Sequence, residues 1–171
     1  IKLRYADWDD LLEYCRLSAA PVGRYLLDLH GGSRNGYAAA DALCMALQVI
    51  NHLQDCREDY LNLDRVYLPL DWMEAEGVSL DALSASCTSR PLRGVFDRTI
   101  AATRVLLTRA TALPGGLASR RLAMESGATL AVAQRLIRLL ERRDPLVRRV
   151  ELTKSDFLVC CVRGALLGLV R

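Results

Sequence analysis

The stretch ALCMALQVINHLQDCREDYLNLDRVYLP, residues 42–69, changes from apolar to acidic while it keeps the spacing of a helix. Its apolar residues recur at intervals of three and four, which is the repeat of one helix face. They are Ala42, Met45, Ala46, Val49, Ile50 and Leu53. This pattern predicts one long helix from about Tyr37 to about Leu61, with the acidic residues in its C-terminal half. A loop follows, in which Pro69 disfavours helix at the residue before it.

Most of the remaining sequence has the same helical repeat. Helices are predicted at about 10–20, 22–30, 90–112, 117–143 and 153–169. Asp7 or Asp9 is suited to cap the first of these helices. Pro21 is expected to kink or interrupt it. Gly77 should close a short helix over LDWMEAEG, and Ser79 should cap the next one. A loop is marked by Gly31, Gly32 and Gly36. Strand-like alternation of useful length is absent, so we expect one all-α domain of packed helices over residues 1–171.

The charge of the chain gives no support for nucleic-acid binding. The net charge is +3 over 171 residues, with 51% hydrophobic and 25% charged residues, which is typical of a globular protein. Residues 90–149 hold thirteen Arg against four carboxylates. This excess indicates either solvated helix faces or attraction to an anionic ligand or membrane surface. Peripheral membrane contact is therefore an open expectation.

The six cysteines are scattered through helical sequence, without a Cys-x-x-Cys pair and with only two His in the chain. Such cysteines are small apolar residues in a reducing, cytoplasmic compartment, and a zinc site is not expected. The segment Phe157–Val170 is apolar but about half the length of a membrane span, with Arg163 in its middle. It is expected to be a core helix or a helix lying on a surface.

The acidic half of the long helix has a composition suited to a divalent cation. Asn51, Asp55 and Asp59 are four residues apart and share one helix face, with Gln48 one turn earlier. Two carboxylates and an amide oxygen are ligands that Mg²⁺ accepts together with water and substrate phosphate. In the loop, Arg65 and Tyr67 are placed to reach diphosphate oxygens: Arg65 by charge-assisted bonds, Tyr67 by its hydroxyl. A solvent-facing acidic helix end is the alternative from spacing alone.

Two sequence blocks resemble the squalene/phytoene synthase family. The first is similar to its second aspartate-rich motif, which ends in Arg-x-Tyr-x-Pro, and the matching residues are Gln48, Asn51, Asp55, Asp59, Arg65, Tyr67 and Pro69. The second block, YCRLSAAPVG, is similar to the segment Tyr-Cys-x-x-Val-Ala-Gly-x-Val-Gly and places Tyr14 where the family has a catalytic tyrosine. Within the family, SAAPVG and NHLQD are most similar to the bacterial hydroxysqualene synthase branch.

The resemblance implies a helical bundle of the isoprenoid synthase type. It implies Mg²⁺ held by Asn51, Asp55 and Asp59, substrate contacts from Gln48, Asn51, Arg65 and Tyr67, and catalytic roles for Tyr14, Asp55 and Asp59. The implied substrate is a prenyl diphosphate, and the implied reaction is conversion of presqualene diphosphate to hydroxysqualene. Condensation of two farnesyl or geranylgeranyl diphosphates is an alternative. The resemblance implies no nicotinamide site. It does imply a functional link to the other squalene-pathway enzymes.

Departures from the family pattern leave a further alternative open. Gln54 stands where the family commonly has Arg, and Ser18, Ala19 and Ala20 stand where it commonly has Val-Ala-Gly. The family's first aspartate-rich motif lies upstream of the tyrosine block, where the acidic residues here are typical of a helix start: Asp7, Asp9, Asp10 and Glu13. With Ile1 as its first residue, the chain is expected to be the C-terminal part of a larger enzyme. Otherwise it is a non-catalytic relative that binds lipid or acts in assembly.

Other residues are expected to have structural roles. Trp8 and Trp72 are expected to be packing anchors. His52 points about 100° away from its neighbour Asn51 on a helix, so it is not expected to be a ligand. Four apolar residues of the long helix belong to the core or border hydrocarbon chains of a substrate: Leu43, Ala46, Ile50 and Leu53.

Overall fold

The structure is a computed structural model that describes residues 2–30 and 33–169, without the side chain of Leu169. Over these residues the chain forms seven α-helices: α1 Trp8–Ser18, α2 Ala20–Leu29, α3 Tyr37–Leu63, α4 Leu70–Ala75, α5 Arg90–Ala110, α6 Arg120–Leu140 and α7 Lys154–Leu169. Within these described residues, β-type pairing is limited to one isolated bridge between Tyr5 and Pro69. The prediction of an all-α fold is confirmed.

The first two helices meet at a tight break. The Asp7 carboxylate accepts a hydrogen bond from the Asp10 backbone N–H at 2.9 Å and caps α1. Helix α2 begins at Ala20, and Pro21 lies in its first turn, where a missing N–H costs nothing. The interruption predicted from Pro21 is present, but it falls at Ala19. The expected helix over residues 10–20 is therefore two residues too long at its end.

Helix α3 is the central element, and α1, α2, α5 and α6 all pack against it. At 27 residues it is about 40 Å long. Four of its apolar residues, Leu43, Ala46, Ile50 and Leu53, are all at most 5% exposed, which confirms the core role for them. The helix ends at Asp64, whose left-handed φ of 51° lets the Arg65 N–H donate to the Asp59 carbonyl at 3.0 Å. The chain reverses there and brings the following loop back beside the acidic face.

Two smaller predictions have different outcomes. Trp8 and Trp72 stack with ring centroids 5.5 Å apart, so their packing role is confirmed. Ser79 precedes a short 3₁₀ helix, Leu80–Ser84, but its side chain makes no capping hydrogen bond. The predicted cap is therefore wrong. Of the loop glycines, Gly36 ends a 3₁₀ turn, while Gly31 and Gly32 lie outside the described residues.

Helix α7 packs along α6 through glycines. A Cβ on Gly164 or Gly168 would collide with the backbone of α6, so the two helices approach as closely as glycine allows. The opposite side of α7 exposes apolar side chains: Phe157, Leu158, Val159, Val162, Leu166 and Leu167. Helix α7 is thus a partly exposed surface helix. None of the helices described here has both the length and the apolar content to span a bilayer.

Five of the thirteen arginines in residues 90–149 form ion pairs with carboxylates. Ion pairs are formed by Arg93, Arg104, Arg121, Arg135 and Arg149. Four of these pairs tie helices together or lie along one helix. The fifth, from Arg149, reaches back to α3 and belongs to the candidate site.

Candidate active site

The acidic face of α3 is partly buried. Asp55 and Asp59 expose only 21% and 19% of their side chains, whereas Asn51, one turn before Asp55, is exposed. Burial raises the pKa of both carboxyls above the ordinary range of an aspartate. The negative charge of Asp55 raises the pKa of Asp59 further. The pair is therefore unfavourable as two bare carboxylates, so additional positive charge would stabilise it.

Arg149 supplies part of that charge from the segment before α7. Its Nε lies 2.7 Å from Asp55 Oδ1, and one terminal nitrogen lies 3.1 Å from Asp55 Oδ2 and 3.4 Å from Asn51 Oδ1. Despite the short distance, Asp55 Oδ1 has no partner in hydrogen-bond geometry. Sequence reasoning missed Arg149, because 94 residues separate it from Asp55 and nothing in its local sequence marks it.

Gln54 positions the segment that carries Arg149. Its amide nitrogen donates to the Val150 carbonyl, next to Arg149 in the chain. Gln54 stands where the family commonly has arginine, and this contact gives it a structural role here. Glutamine in place of the family's usual arginine at residue 54 therefore helps to hold Arg149 against Asp55.

The loop after α3 brings Arg65 and Tyr67 back towards Asp59. The Arg65 guanidinium lies 3.5 Å from the Tyr67 hydroxyl, and its charge opposes the rise in the pKa of Asp59. Tyr67 is 7% exposed, and burial raises the pKa of its hydroxyl. The structure thus places both predicted loop residues beside the acidic face.

Four aromatic rings lie behind the acidic face. Tyr14 of α1 has its ring centroid 5.8 Å from that of Tyr67 and 6.0 Å from that of His52. Tyr5 lies 5.2 Å from Tyr14, and His52 stacks on Tyr67 at 3.5 Å. Tyr14 is therefore brought to the site, as the sequence predicts, and its catalytic role stays a prediction. Tyr5 and His52 were not identified as site residues from the sequence.

Gln48 faces the aromatic rings. Its amide nitrogen lies 3.1 Å from His52 Nε2, so the structure connects Gln48 to His52. Its predicted contact with substrate stays a prediction. Of the predicted residues, Asn51, Asp55 and Asp59 share one helix face, with Arg65, Tyr67 and Tyr14 around it.

An apolar groove runs along the same face of α3, towards its N-terminus. It has a volume of about 270 Å³ and is lined on α3 by Ala40, Leu43, Cys44 and Leu47, with walls from α2 and α6. Helical spacing of three or four residues connects positions 40, 44, 47, 51 and 55. The groove and the acidic pair therefore lie along the same side of α3. A Cβ on Gly23 would lie 2.7 Å from Cys44 Sγ, so glycine is needed for α2 to pack here. Cys44 and Asp55 are separated by about 16 Å along the helix.

The sequence model of the squalene/phytoene synthases matches residues 2–156. The chain belongs to the squalene/phytoene synthase family. It is 43% identical to the hydroxysqualene synthase of Rhodopseudomonas palustris over 92% of this chain and 54% of that protein. The chain thus spans about half the length of the curated relatives it matches.

Solved structures agree with this assignment. The squalene synthase HpnC from Alicyclobacillus acidocaldarius is 31% identical and has a TM-score of 0.76 over 82% of this chain and 53% of its own. A dehydrosqualene synthase determined in complex with ligand has a TM-score of 0.81 over 98% of this chain and 59% of its own. At 20% identity, the latter shows the fold alone. The isoprenoid synthase fold predicted for this chain is confirmed.

The residues of the squalene/phytoene synthase motif include oxygen donors of the kind that Mg²⁺ binds. Within residues 2–30 and 33–169, no three His, Cys, Asp or Glu side chains are grouped to hold a metal ion. Asp55 and Asp59 nevertheless fit one, because they are hard oxygen donors whose pKa values are raised by burial and by neighbouring carboxylates. Mg²⁺ in proteins is usually held by one or two carboxylates together with waters and substrate phosphates. The donor set on α3 matches this pattern.

The raised pKa values predict how pH affects this acidic pair in the metal-free protein. The folded state binds these protons more tightly than the unfolded chain, so the pair's contribution to stability falls as pH rises from about 3.8 through the raised pKa values. Asp59→Asn should therefore be more stable than the wild type at neutral pH, and the difference should disappear by about pH 3. Denaturant melts of both proteins between pH 3 and 8 measure it. A difference that is constant with pH would contradict the raised pKa values.

Proposed function

We propose that this chain provides the second aspartate-rich half of the site of an isoprenoid diphosphate synthase. One observation carries the proposal: a partly buried acidic pair, flanked by Arg65 and Arg149, lies on the same face of α3 as an apolar groove, further towards the C-terminus of the helix. A charged end and an apolar groove match the two parts of a prenyl diphosphate, a diphosphate and a hydrocarbon chain. The hydroxysqualene synthases it resembles support presqualene diphosphate as the substrate.

The acidic and basic side chains of the site would bind different parts of the metal-diphosphate group. Asp55, Asp59 and Asn51 would hold Mg²⁺, which when bound supplies positive charge against the departing diphosphate. Arg65 and Arg149 would donate hydrogen bonds to diphosphate oxygens from either side of the acidic pair. Both arginines keep their charge at any working pH. They therefore stabilise the leaving group without exchanging a proton.

The apolar groove would protect the cation formed when diphosphate leaves. In the proposed reaction the C–O bond of presqualene diphosphate breaks, and its electron pair leaves with the diphosphate. The resulting cyclopropylcarbinyl cation rearranges, water adds to the rearranged cation, and a proton is released to give hydroxysqualene. Apolar walls such as Leu43 and Leu47 keep bulk water from the cation before rearrangement.

A product assay tests the proposed reaction. The complete protein is incubated with presqualene diphosphate and Mg²⁺, and diphosphate and the lipid extract are analysed. We expect diphosphate release and hydroxysqualene. Absence of both would refute the reaction and leave a lipid-binding or assembly role. A second sample receives farnesyl diphosphate alone, and turnover there would identify condensation as the activity.

Two further expectations stay predictions. Peripheral membrane contact has support in the apolar residues that α7 exposes, such as Val159 and Leu166. A functional link to the other squalene-pathway enzymes would follow if hydroxysqualene is the product.

A further inference from the structure

His52 lies between the acidic pair and the aromatic rings. It is 6% exposed, and its ring lies flat on that of Tyr67, with centroids 3.5 Å apart and planes 6° from parallel. A buried ring that is stacked in this way cannot rotate about its side-chain bonds without displacing Tyr67. The two edges of the imidazole therefore face fixed neighbours.

The contact with Gln48 assigns the proton on the ring. The amide nitrogen of Gln48 lies 3.1 Å from His52 Nε2, and an amide nitrogen donates. Nε2 therefore accepts, and in the neutral ring the proton is on Nδ1. An Nε2 that accepts a hydrogen bond carries no proton, so the ring is neutral in this arrangement.

The N–H at Nδ1 faces Asp59 but does not reach it. The distance from Nδ1 to Asp59 Oδ2 is 3.9 Å, longer than a hydrogen bond. Nδ1 is buried and has no hydrogen-bond partner. A buried donor without a partner destabilises the folded state, so a small movement that closes this gap would be favourable.

We propose that His52 is a positioning residue that donates from Nδ1 to Asp59 when Mg²⁺ and diphosphate bind. The inference rests on the proposed function of the acidic face. Donation to Oδ2 fixes the Asp59 carboxylate and leaves Oδ1 for the cation. Hydrogen bonds of this kind to a metal-binding carboxylate typically change metal affinity by about 10–100-fold. His52 also holds the ring of Tyr67 against the site.

Two substitutions separate the hydrogen bond from the stacking. His52→Phe keeps a flat ring on Tyr67 and removes the donor, whereas His52→Asn keeps a donor near the place of Nδ1 and removes the ring. Calorimetric titration of Mg²⁺ into the complete protein with inorganic diphosphate measures the affinity. We expect His52→Phe to weaken it by about 10–100-fold and His52→Asn to restore most of it. Glu74→Gln, which changes an exposed acid on α4, is the matched control and should bind normally.

Nitrogen NMR of the imidazole gives a second readout that needs no activity. The metal-free wild type should show the Nδ1–H tautomer, and Mg²⁺ with diphosphate should shift the Nδ1 resonance. This measurement also decides the case if His52→Phe does not fold. The Nε2–H tautomer, or normal Mg²⁺ binding by His52→Phe, would overturn the role of His52 alone. If the wild type binds no Mg²⁺ with diphosphate, the proposed function fails and this inference fails with it.

Discussion

Asp59→Asn is expected to abolish diphosphate release while the protein stays folded. The substitution removes one of the two carboxylates that would carry the metal, and losing a group of this importance to charge stabilisation lowers kcat by about 10²–10³-fold or more. Stability should not fall, because burial and the charge of Asp55 both disfavour the ionised form of Asp59. In the described part of the chain, its one ionisable partner within 4.0 Å is the neutral His52.

Diphosphate release and a thermal melt of the same preparation measure this prediction. Glu74→Gln removes an exposed charge on α4 and should retain activity. A melting temperature lowered by several degrees in Asp59→Asn would show that Asp59 is structural. Full activity in Asp59→Asn would exclude it from the metal site.

Arg149→Met is the second substitution with a large expected effect. We expect kcat to fall by about 10²-fold, because Arg149 would contribute charge to the departing diphosphate. The expected loss of stability is under about 1 kcal/mol, since the Arg149 side chain is 41% exposed and its pair with Asp55 is screened by water. A large loss of activity with a small loss of stability is the signature of a functional arginine.

Arg104→Met is the matched control for Arg149→Met. Arg104 forms an ion pair of similar exposure with Glu141, between α5 and α6 and away from the acidic face. Both variants should melt at about the wild-type temperature, and only Arg149→Met should lose turnover. Equal turnover in the two variants would show that the Arg149 pair with Asp55 is structural.

The helices could be predicted from the sequence because their cores depend on local periodicity. The apolar repeat of α3 marks a helix from Tyr37 onwards, and its end at Leu63 is two residues from the predicted one. The acidic pair was found for the same reason, since Asp55 and Asp59 are four residues apart. Arg65 and Tyr67 were found through the family motif, and the left-handed turn at Asp64 explains how they return to the helix.

What the sequence could not predict depends on contacts between distant segments. Arg149 meets Asp55 only after α5 and α6 have returned the chain to α3, and no local pattern encodes that return. His52 was set aside because it points away from Asn51. That direction is correct, but the loop after α3 carries Tyr67 onto the other side of its ring. Side chains beside a site can therefore be assigned from the sequence only when the returning segment is also known.

Thermal melting of the complete wild-type protein, with and without Mg²⁺ and inorganic diphosphate, tests the central claim most directly. A ligand that binds the folded state alone must stabilise it, by about 2.7 kcal/mol at a concentration one hundred times its Kd. For a chain of about this size, each kcal/mol raises the melting temperature by about 2–4 °C. We predict a rise of several degrees in the wild type with both ligands, and none in Asp59→Asn. A wild-type melting temperature unchanged at saturating Mg²⁺ and diphosphate would contradict the assignment of Asp55 and Asp59 as a metal-diphosphate site.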